Sequence, residues 1–506
     1  MTRIINRSRC CLISIVTFTG LIMHGLSMSD VNATELGKEL LTGGVPQASS
    51  QADDQTYIRT ILIRPKTATR TLSSPLFPSR ERIQNGAAAP IFLRQNFEAT
   101  HQMKVFRENY KRKDFEVELS DLDVAAIRHG TPLQLGELRR AAFRSHAGWE
   151  YPLQEEPVGF ILLPDVAESR LYSTALVSSA RADIREGKLA DAADKICIAL
   201  GLARHVGETP FMLCKLVQKA QVDRVLFAVE ELMQHPAGEN QFWALSSLPR
   251  PMVPILDALQ MEAATIAKTF PALAKPDSRL SEDEWAQTAE EAQTFLRWGD
   301  ESGMLPQPNT AESAKWFAAD WAARSRKKLP DLRPEWKEKI RNMCDAEVGL
   351  RYWYERCKSI IDRQIAPATL EYSLAIPLLA AEEEAFHDEV ADESVVRLST
   401  TSLLTSWLGL VRSIAFLDQR IALLRGIESI RDWSSKHDGK LPKSLDELDL
   451  PVSTDCVTNL PFSYSRAADG KSATLHGTVL SWENRTADGK KTPVRFGYRY
   501  ELRLVE

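Results

Sequence analysis

The stretch "WLGLVRSIAFLDQRIALLRG" at residues 407–426 decides the fold of the C-terminal part of the chain. Apolar side chains recur in it at intervals of three and four, at Leu410, Ile414, Leu417, Ile421 and Leu424. This spacing predicts one long helix with a narrow apolar stripe along one side. An apolar stripe has to be covered, so we expect the elements that follow to pack against this helix.

The end of the chain predicts a strand. "VRFGYRYELRLV" at residues 494–505 alternates with a period of two. The alternation puts Arg495, Arg499 and Arg503 on one face and Val494, Phe496, Tyr498, Tyr500, Leu502 and Leu504 on the other. "FSYS" (462–465) and "SATLHGTVLSW" (472–482) are predicted to be its antiparallel partners. We therefore expect a small antiparallel sheet with one face on the long helix and the other in water.

Upstream of this module, residues 91–400 are dominated by helical patterns broken at Pro or Gly. "SEDEWAQTAEEAQTFLRW" begins with Ser281 and has Glu284 three residues later, which predicts a capping box at a helix start. The fold class that we predict is mainly α, with an irregular helical domain at 91–400. Residues 401–506 form a small α+β module made of the long helix and the antiparallel sheet.

One hairpin within the helical domain has a specific pattern, at residues 180–200. Gly187 is predicted to end a helix, and the small residues Ala192 and Ala199 follow where two helices would approach closely. This spacing resembles one tetratricopeptide unit. A repeat array needs about three stacked units, and the sequence offers no second copy at that period. We expect a single hairpin within a globular helical domain.

The first 33 residues predict export. Arg3, Arg7 and Arg9 precede the apolar run of residues 10–23, which is shorter than the roughly 20 residues that a spanning helix needs. Small residues at 31–33 suit cleavage after Ala33. We therefore predict a signal peptide at 1–33 and a periplasmic or secreted protein, without a membrane span beyond the signal segment; the alternative is an uncleaved N-terminal anchor.

Residues 34–90 are rich in Ser, Thr, Gln, Pro and Gly with little periodicity. They predict a flexible leader with one short strand at 57–63. The chain has a formal net charge of −5 and a pI near 6.1. This lacks the basic excess typical of a nucleic-acid binder, so we expect no nucleic-acid partner.

Five cysteines lie beyond the predicted signal peptide, an odd number that implies no disulfide framework in an exported protein. The pair to test is Cys197 with Cys214.

The joint "HDGKLPKSLDEL" (437–448) between the long helix and the sheet has Gly439, Pro442, Leu445 and Leu448 at a Gly-x-x-Pro-x-x-Leu-x-x-Leu spacing. With the helix before it and the strands after it, the last 90 residues or so resemble the post-helix part of type II secretion pseudopilins. The resemblance implies a pilin-like structural cap. The chain differs from a true pilin subunit because its helix carries Arg412 and Arg420 and is not a membrane span.

A second resemblance covers more of the chain. "AAAPIFLRQNFE" (87–98), "GKLADAADKICIALGLARHVGETP" (187–210) and "ENQFWALSSLPRPMVPILDALQMEA" (239–263) are similar to segments of uncharacterised exported proteins of planctomycete bacteria. The resemblance implies export and the order of the domains, and it implies no activity.

The loop "FWALSSLPRPMVP" (242–254) is the leading candidate for a binding site. Phe242, Trp243 and Arg250 are residue types that dominate binding hot spots, and loops often carry function. The alternative is that the aromatic residues fill the core while the prolines stiffen the entry to the next helix. The face with Arg495, Arg499 and Arg503 is a second candidate, for an anionic polymer; its alternative is an ordinary solvated face.

Signatures of nucleophilic, nucleotide and metal chemistry are absent from the sequence. Glu384 and His387 have a Glu-x-x-His spacing, but a di-iron site needs a second copy, so we expect no metal and no cofactor. The sequence predicts no catalytic residues. We expect a non-catalytic protein that binds a partner of the envelope or the secreted fraction. The alternative is an exported glycan hydrolase that uses dispersed Asp and Glu residues.

Overall fold

The computed structural model describes residues 55–69, 75–94, 119–130, 134–153, 161, 163–301, 319–389, 407–485 and 491–505. The predicted signal peptide lies outside these residues. The helices are α1 (Asp121–Gly130), α2 (Leu135–Ala142), α3 (Pro164–Arg185), α4 (Leu189–Gly207), α5 (Met212–Gln234), α6 (Phe242–Ser246), α7 (Leu256–Ala263), α8 (Thr265–Thr269), α9 (Pro271–Ala274), α10 (Glu282–Glu301), α11 (Ala319–Leu332), α12 (Asp345–Ala368), α13 (Tyr372–Glu389) and α14 (Trp407–Lys436). The mainly helical class is confirmed.

The strands form one five-stranded sheet and one two-stranded sheet. They are β1 (Gln55–Ile63), β2 (Gln84–Ala87), β3 (Arg144–His146), β4 (Ser463–Arg466), β5 (Ser472–His476), β6 (Leu480–Arg485) and β7 (Lys491–Leu504). In the larger sheet, β4, β5 and β7 lie side by side with antiparallel pairing, and β6 also pairs with β7. The predicted C-terminal antiparallel strands are therefore present, and β2 pairs with β3 in the smaller sheet.

The predicted leader contains the fifth strand of the larger sheet. β1 pairs with β7 in parallel along its whole length, from Gln55 opposite Phe496 to Ile63 opposite Leu504. Tyr57, Ile61 and Ile63 are buried on the inner face. The strand predicted at 57–63 is therefore present, and residues 55–63 are part of the fold rather than of a flexible leader. β5 pairs with one edge of β7, and the other edge would leave main-chain N–H and C=O groups unpaired. β1 pairs with these groups.

The segment after β1 is fixed to α14. The Lys66 N–H donates to the carbonyl of Arg431 at 3.1 Å, and the Ala68 N–H donates to Asp432 Oδ1 at 2.7 Å. Arg431 Nε donates to the carbonyl of Arg64 at 3.0 Å. These bonds join the first described segment to α14, so residues 55–69 and α14 form one unit.

α14 is buried on all sides, which differs from the narrow apolar stripe predicted for it. α5, α6, α13 and the sheet all contact it. Its buried residues include Arg420, Arg425, Glu428, Arg431 and Asp432. The apolar stripe is real, but it is one part of a largely covered surface, because Arg420, Glu428, Arg431 and Asp432 are paired rather than exposed to water.

A buried ionic cluster joins α14 to α5 and to the sheet. Arg420 Nη2 donates to Glu230 Oε1 at 3.0 Å, and the Tyr500 hydroxyl donates to the same oxygen at 2.8 Å. Arg59 of β1 pairs with the other oxygen of Glu230. Burial acts to lower the pKa of Arg420, but attraction to Glu230 outweighs it and holds that pKa well above its ordinary value. The guanidinium therefore stays charged inside the protein.

The predicted hairpin lies at the junction of α3 and α4. Gly187 has φ of +77° in the turn, a left-handed conformation that favours glycine. Ala180, Ala192 and Ala199 are fully buried where the helices pack. α5 packs against both helices, so the pair belongs to a three-helix layer.

Two further details of the sequence analysis can be compared with the structure. The capping box is confirmed: the Ser281 N–H donates to Glu284 Oε2 at 2.7 Å, and the Glu284 N–H donates to Ser281 Oγ at 3.3 Å. Cys197 and Cys214 are free thiols, both buried, so the pair considered for a disulfide is not joined.

We predict that Arg420→Met destabilises the protein by about 3 to 5 kcal/mol, because it leaves the Glu230 charge buried with one partner fewer. Urea unfolding followed by circular dichroism measures the change. Arg341→Met is the matched control, since Arg341 forms an exposed pair with Glu338 and its loss should leave the urea midpoint nearly unchanged. Equal midpoints for the two variants would contradict the structural role of the cluster.

Candidate functional site

The loop that follows α5 holds the aromatic candidates. Phe242 and Trp243 begin α6, and their rings meet edge to face at 5.0 Å between centroids. Phe242 is 3% exposed, whereas Trp243 is 36% exposed. Phe242 therefore fills the core, which is the alternative that the sequence analysis gave for the aromatic residues of this loop. Its buried ring packs against the partly exposed ring of Trp243. Only Trp243 of this pair offers a surface to a ligand.

Arg250 lies on the same loop and is exposed. Its Nη2 donates to the carbonyl of Ser246 at 3.3 Å, at the end of α6, and the Arg250–Pro251 peptide bond is cis. The loop then turns onto α14, where the Met252 N–H donates to Asp418 Oδ1 at 3.1 Å. The loop is thus anchored at both ends.

A polar cluster lies where this loop meets α13 and α14. The Tyr372 hydroxyl donates to Asp418 Oδ2 at 2.9 Å, so both oxygens of this carboxylate accept hydrogen bonds. Arg425 lies two turns further along α14 and is 6% exposed. Cys456 lies on the loop before β4, and its thiol donates to the carbonyl of Ala415 at 3.3 Å.

Burial shifts the pKa values of three residues in this cluster. Burial raises the pKa of Asp418 to about 6, against the opposing effects of the Met252 and Tyr372 hydrogen bonds and of Arg250 and Arg425. Burial, followed by repulsion from Arg250, lowers the pKa of Arg425 to about 10. Burial raises the pKa of the Cys456 thiol. At neutral pH the cluster therefore contains two guanidinium charges and a carboxylate that is close to its titration range.

The arginine face of β7 is exposed as predicted. Arg495, Arg499 and Arg503 all point into solvent, and Arg503 Nη2 lies 3.5 Å from Glu501 Oε2. On the neighbouring β1, Ile58 lies opposite Arg499 and is 56% exposed. This face points away from α14, whereas the loop with Trp243 and Arg250 packs on α14. The structure therefore does not bring the two candidate sets together.

The sequence analysis found Arg250 but missed the other residues of the polar cluster. Tyr372, Asp418, Arg425 and Cys456 are far apart in the chain, and each looks like an ordinary helix or loop residue. The one usable clue is that Asp418 and Arg425 are seven residues apart on a predicted helix, which places them on one face two turns apart. Only the long-range packing brings Arg250 to that face.

The remaining groups of titratable side chains offer weaker candidates for a functional site. Within the described part of the chain, no group of three or more His, Cys, Asp and Glu side chains is arranged to hold a metal ion. Glu384 is exposed, and the side chain of His387 lies outside the described residues. A second carboxyl group with a neutral-range pKa is Glu262, raised to about 7 by burial; it accepts from the Met212 N–H. None of the helices that the structure describes is long and apolar enough to cross a bilayer.

Comparison of the chain with protein-family models, with curated proteins and with solved structures finds no match.

The raised pKa of Asp418 predicts a pH-dependent stability. The folded protein holds this proton more tightly than the unfolded chain, so ionisation of Asp418 destabilises the fold as pH rises from about 4 to 6. Asp418→Asn removes the effect. We expect the stability of the variant relative to the natural chain to rise by roughly 2 to 3 kcal/mol between pH 4 and pH 7.

Urea unfolding at several pH values measures this difference. Any constant offset from the changed hydrogen bonds cancels, because only the slope with pH is compared. A difference that does not change with pH would show that Asp418 titrates normally.

Proposed function

We propose that the chain is an exported, non-catalytic protein that binds another protein of the envelope or periplasm. The observation that carries the proposal is the placement of Trp243, which is 36% exposed and rests on the buried ring of Phe242. A rigid, partly exposed aromatic side chain loses little conformational entropy on binding. Such residues, together with arginine, dominate the energetics of protein interfaces.

The surroundings of Trp243 support a protein partner. Arg250 follows on the same anchored loop and is exposed. Leu256, which begins α7 directly after the loop, is 38% exposed. An aromatic, an arginine and an aliphatic side chain on one short segment are the composition of an interface centre. The exposed face of β7 offers a second, more polar surface that suits an anionic partner.

The proposal also includes the structural roles of the α3–α4 hairpin and of the C-terminal module. We infer that α3 and α4 act as a tetratricopeptide-like hairpin, and that α14 with the joint and the antiparallel strands is a pilin-like cap. Gly439 with φ of +71° and the short 3₁₀ turn at Leu445–Glu447 in the joint support the second inference. The similarity to exported planctomycete proteins and the pattern of residues 1–33 support export.

We predict that Trp243→Ala weakens binding of the partner by at least about 30-fold, because a hot-spot aromatic contributes about 2 kcal/mol or more. The mature chain is immobilised, proteins of its own envelope extract are captured and identified, and the affinity of the purified partner is measured for each variant. Leu460→Ala is the matched control, since Leu460 is 62% exposed on a different loop. Equal loss in both variants, or no protein retained by the natural chain, would contradict the proposal.

Export has a separate test. We expect the protein recovered from its own cells to begin at Thr34, because cleavage follows Ala33. Mass spectrometry of the N-terminal peptide measures this directly. An intact N-terminus in the membrane pellet would instead establish the uncleaved anchor.

A further inference from the structure

The outer face of α13 is apolar over the first part of the helix. "YSLAIPLLAA", residues 372–381, contains no charged side chain. α13 packs on α12 and α14, and Ala375, Ile376 and Leu379 are buried on its inner face. A helix with one buried face normally carries polar residues on the other, and a helix that is apolar all round is normally covered on every side. The outer face of α13 therefore lacks the polar surface that contact with water calls for.

Large apolar side chains are exposed along this outer face. Leu374 is 55% exposed and Leu378 is 48% exposed, and Leu370 in the turn before the helix is 44% exposed. The spacing of four residues places Leu374 and Leu378 on one side of the helix. Three of the nine large hydrophobic side chains exposed in the described part of the chain thus lie within residues 370–378. The stripe continues along the same side through exposed small or ring-shaped residues, namely Pro377, Ala381 and Ala385. A contiguous apolar surface of this kind marks an interaction site more than scattered single residues do.

Acidic side chains border the apolar stripe. At about 100° per residue, Glu382 and Glu384 fall on its two sides, and Glu384 is exposed. Glu371 is exposed in the turn beside Leu370. Arg363 of α12 offsets one of these charges, since its Nε lies 3.7 Å from Glu382 Oε2. The borders of the stripe therefore carry a net negative charge.

We propose that the outer face of α13 binds an amphipathic helix of another protein, with aliphatic side chains along one side and Lys or Arg on its borders. An exposed helix face packs against a second helix along rows of residues three and four apart, which is the arrangement of this stripe. Leu374 and Leu378 form its raised end. Ala381 and Ala385 form a lower end that accommodates large side chains of the partner. The basic borders of the partner meet the acidic borders of the stripe.

The charge of the borders decides between the possible occupants. A second copy of the chain would bring the same acidic borders against each other. Residues 390–406, which follow α13 directly, carry Asp392 and Glu393 against Arg397 and so have no positive excess. An anionic lipid surface would repel Glu371 and Glu384. A basic amphipathic helix gains attraction where each of these occupants loses it.

This surface is separate from the loop with Trp243, and the inference does not rest on the function proposed for that loop. The probe is a fluorescent synthetic peptide of about 18 residues, or five helical turns, with Leu along one side and Lys on both borders. One comparison peptide has Glu in place of Lys. A second has the composition of the probe in an order that abolishes the apolar side. Fluorescence anisotropy with the full mature chain measures the affinities, and we expect the probe to bind at least about tenfold more tightly than either comparison peptide.

The apolar stripe is tested with Leu374→Gln combined with Leu378→Gln. We expect this variant to bind the probe about tenfold more weakly or worse, because two leucine contacts with the partner are lost. Both positions are exposed and Gln is a good helix former, so circular dichroism should show an unchanged fold. Leu460→Gln is the matched control, since Leu460 is also an exposed leucine but lies on a different segment. Equal affinities of the two variants for the probe would overturn the site.

The acidic border is tested with Glu384→Lys. This variant should bind the probe severalfold more weakly and the Glu peptide severalfold more tightly than the natural chain does. The opposite signs separate binding from folding, since damage to the fold cannot improve the binding of either peptide. Unchanged affinity for both peptides would show that charge does not select the partner.

Further measurements distinguish the other occupants. A dimer of the natural chain in sedimentation, dissociated by Leu374→Gln with Leu378→Gln, would assign the face to a second copy and contradict the proposal. Tighter probe binding after Leu403→Gln with Leu404→Gln would assign it to residues 390–406, and flotation with lipid vesicles that the stripe variant loses would assign it to a membrane. Loss of partner capture in Trp243→Ala with intact probe binding keeps this inference distinguishable from the proposed function.

Discussion

The burial of the Glu230 charge is the constraint on which the rest of the structure depends. This carboxylate is fully enclosed and meets Arg420 of α14, Arg59 of β1 and the hydroxyl of Tyr500 of β7. A carboxylate in such an environment is stable only when each partner is present, since removing one leaves an uncompensated charge in a low dielectric. Four segments that are distant in the sequence therefore have to meet at one point.

The domain organisation follows from this cluster. Composition alone suggests domain boundaries after residue 90 and before residue 401. The contacts cross both boundaries, because β1 completes the C-terminal sheet and the residues after β1 hydrogen-bond to α14. α14 consequently lies at the centre of the fold, between the helices on one side and the sheet on the other. The loop with Trp243 and Arg250 packs directly on α14. The residues of that loop proposed for binding are thus positioned by a largely buried helix.

Local patterns were predictable from the sequence, and long-range pairing was not. The alternation in β7 gave the exposed arginine face, and the Ser281–Glu284 spacing gave the capping box, because both depend on residues close in the chain. The pairing of β1 with β7 has a sequence separation of more than 400 residues, and no local pattern encodes it. The narrow stripe of α14 was misleading for the same reason: Arg420 and Arg431 look like solvent-facing residues until their distant partners are known. Of the polar cluster around Asp418, only Arg250 was predicted from the sequence.

The pairing of the buried arginines shows how the fold holds charge in its interior. It encloses Arg181, Arg351, Arg420 and Arg431, each against a carboxylate. No nitrogen of Arg425 is among the enclosed atoms without a partner, so the guanidinium of this fifth arginine reaches water. The attachment of α14 to α5 therefore comes from the Arg420–Glu230 pair, five residues before Arg425, where both partners are fully enclosed and the loss of either would leave a buried charge.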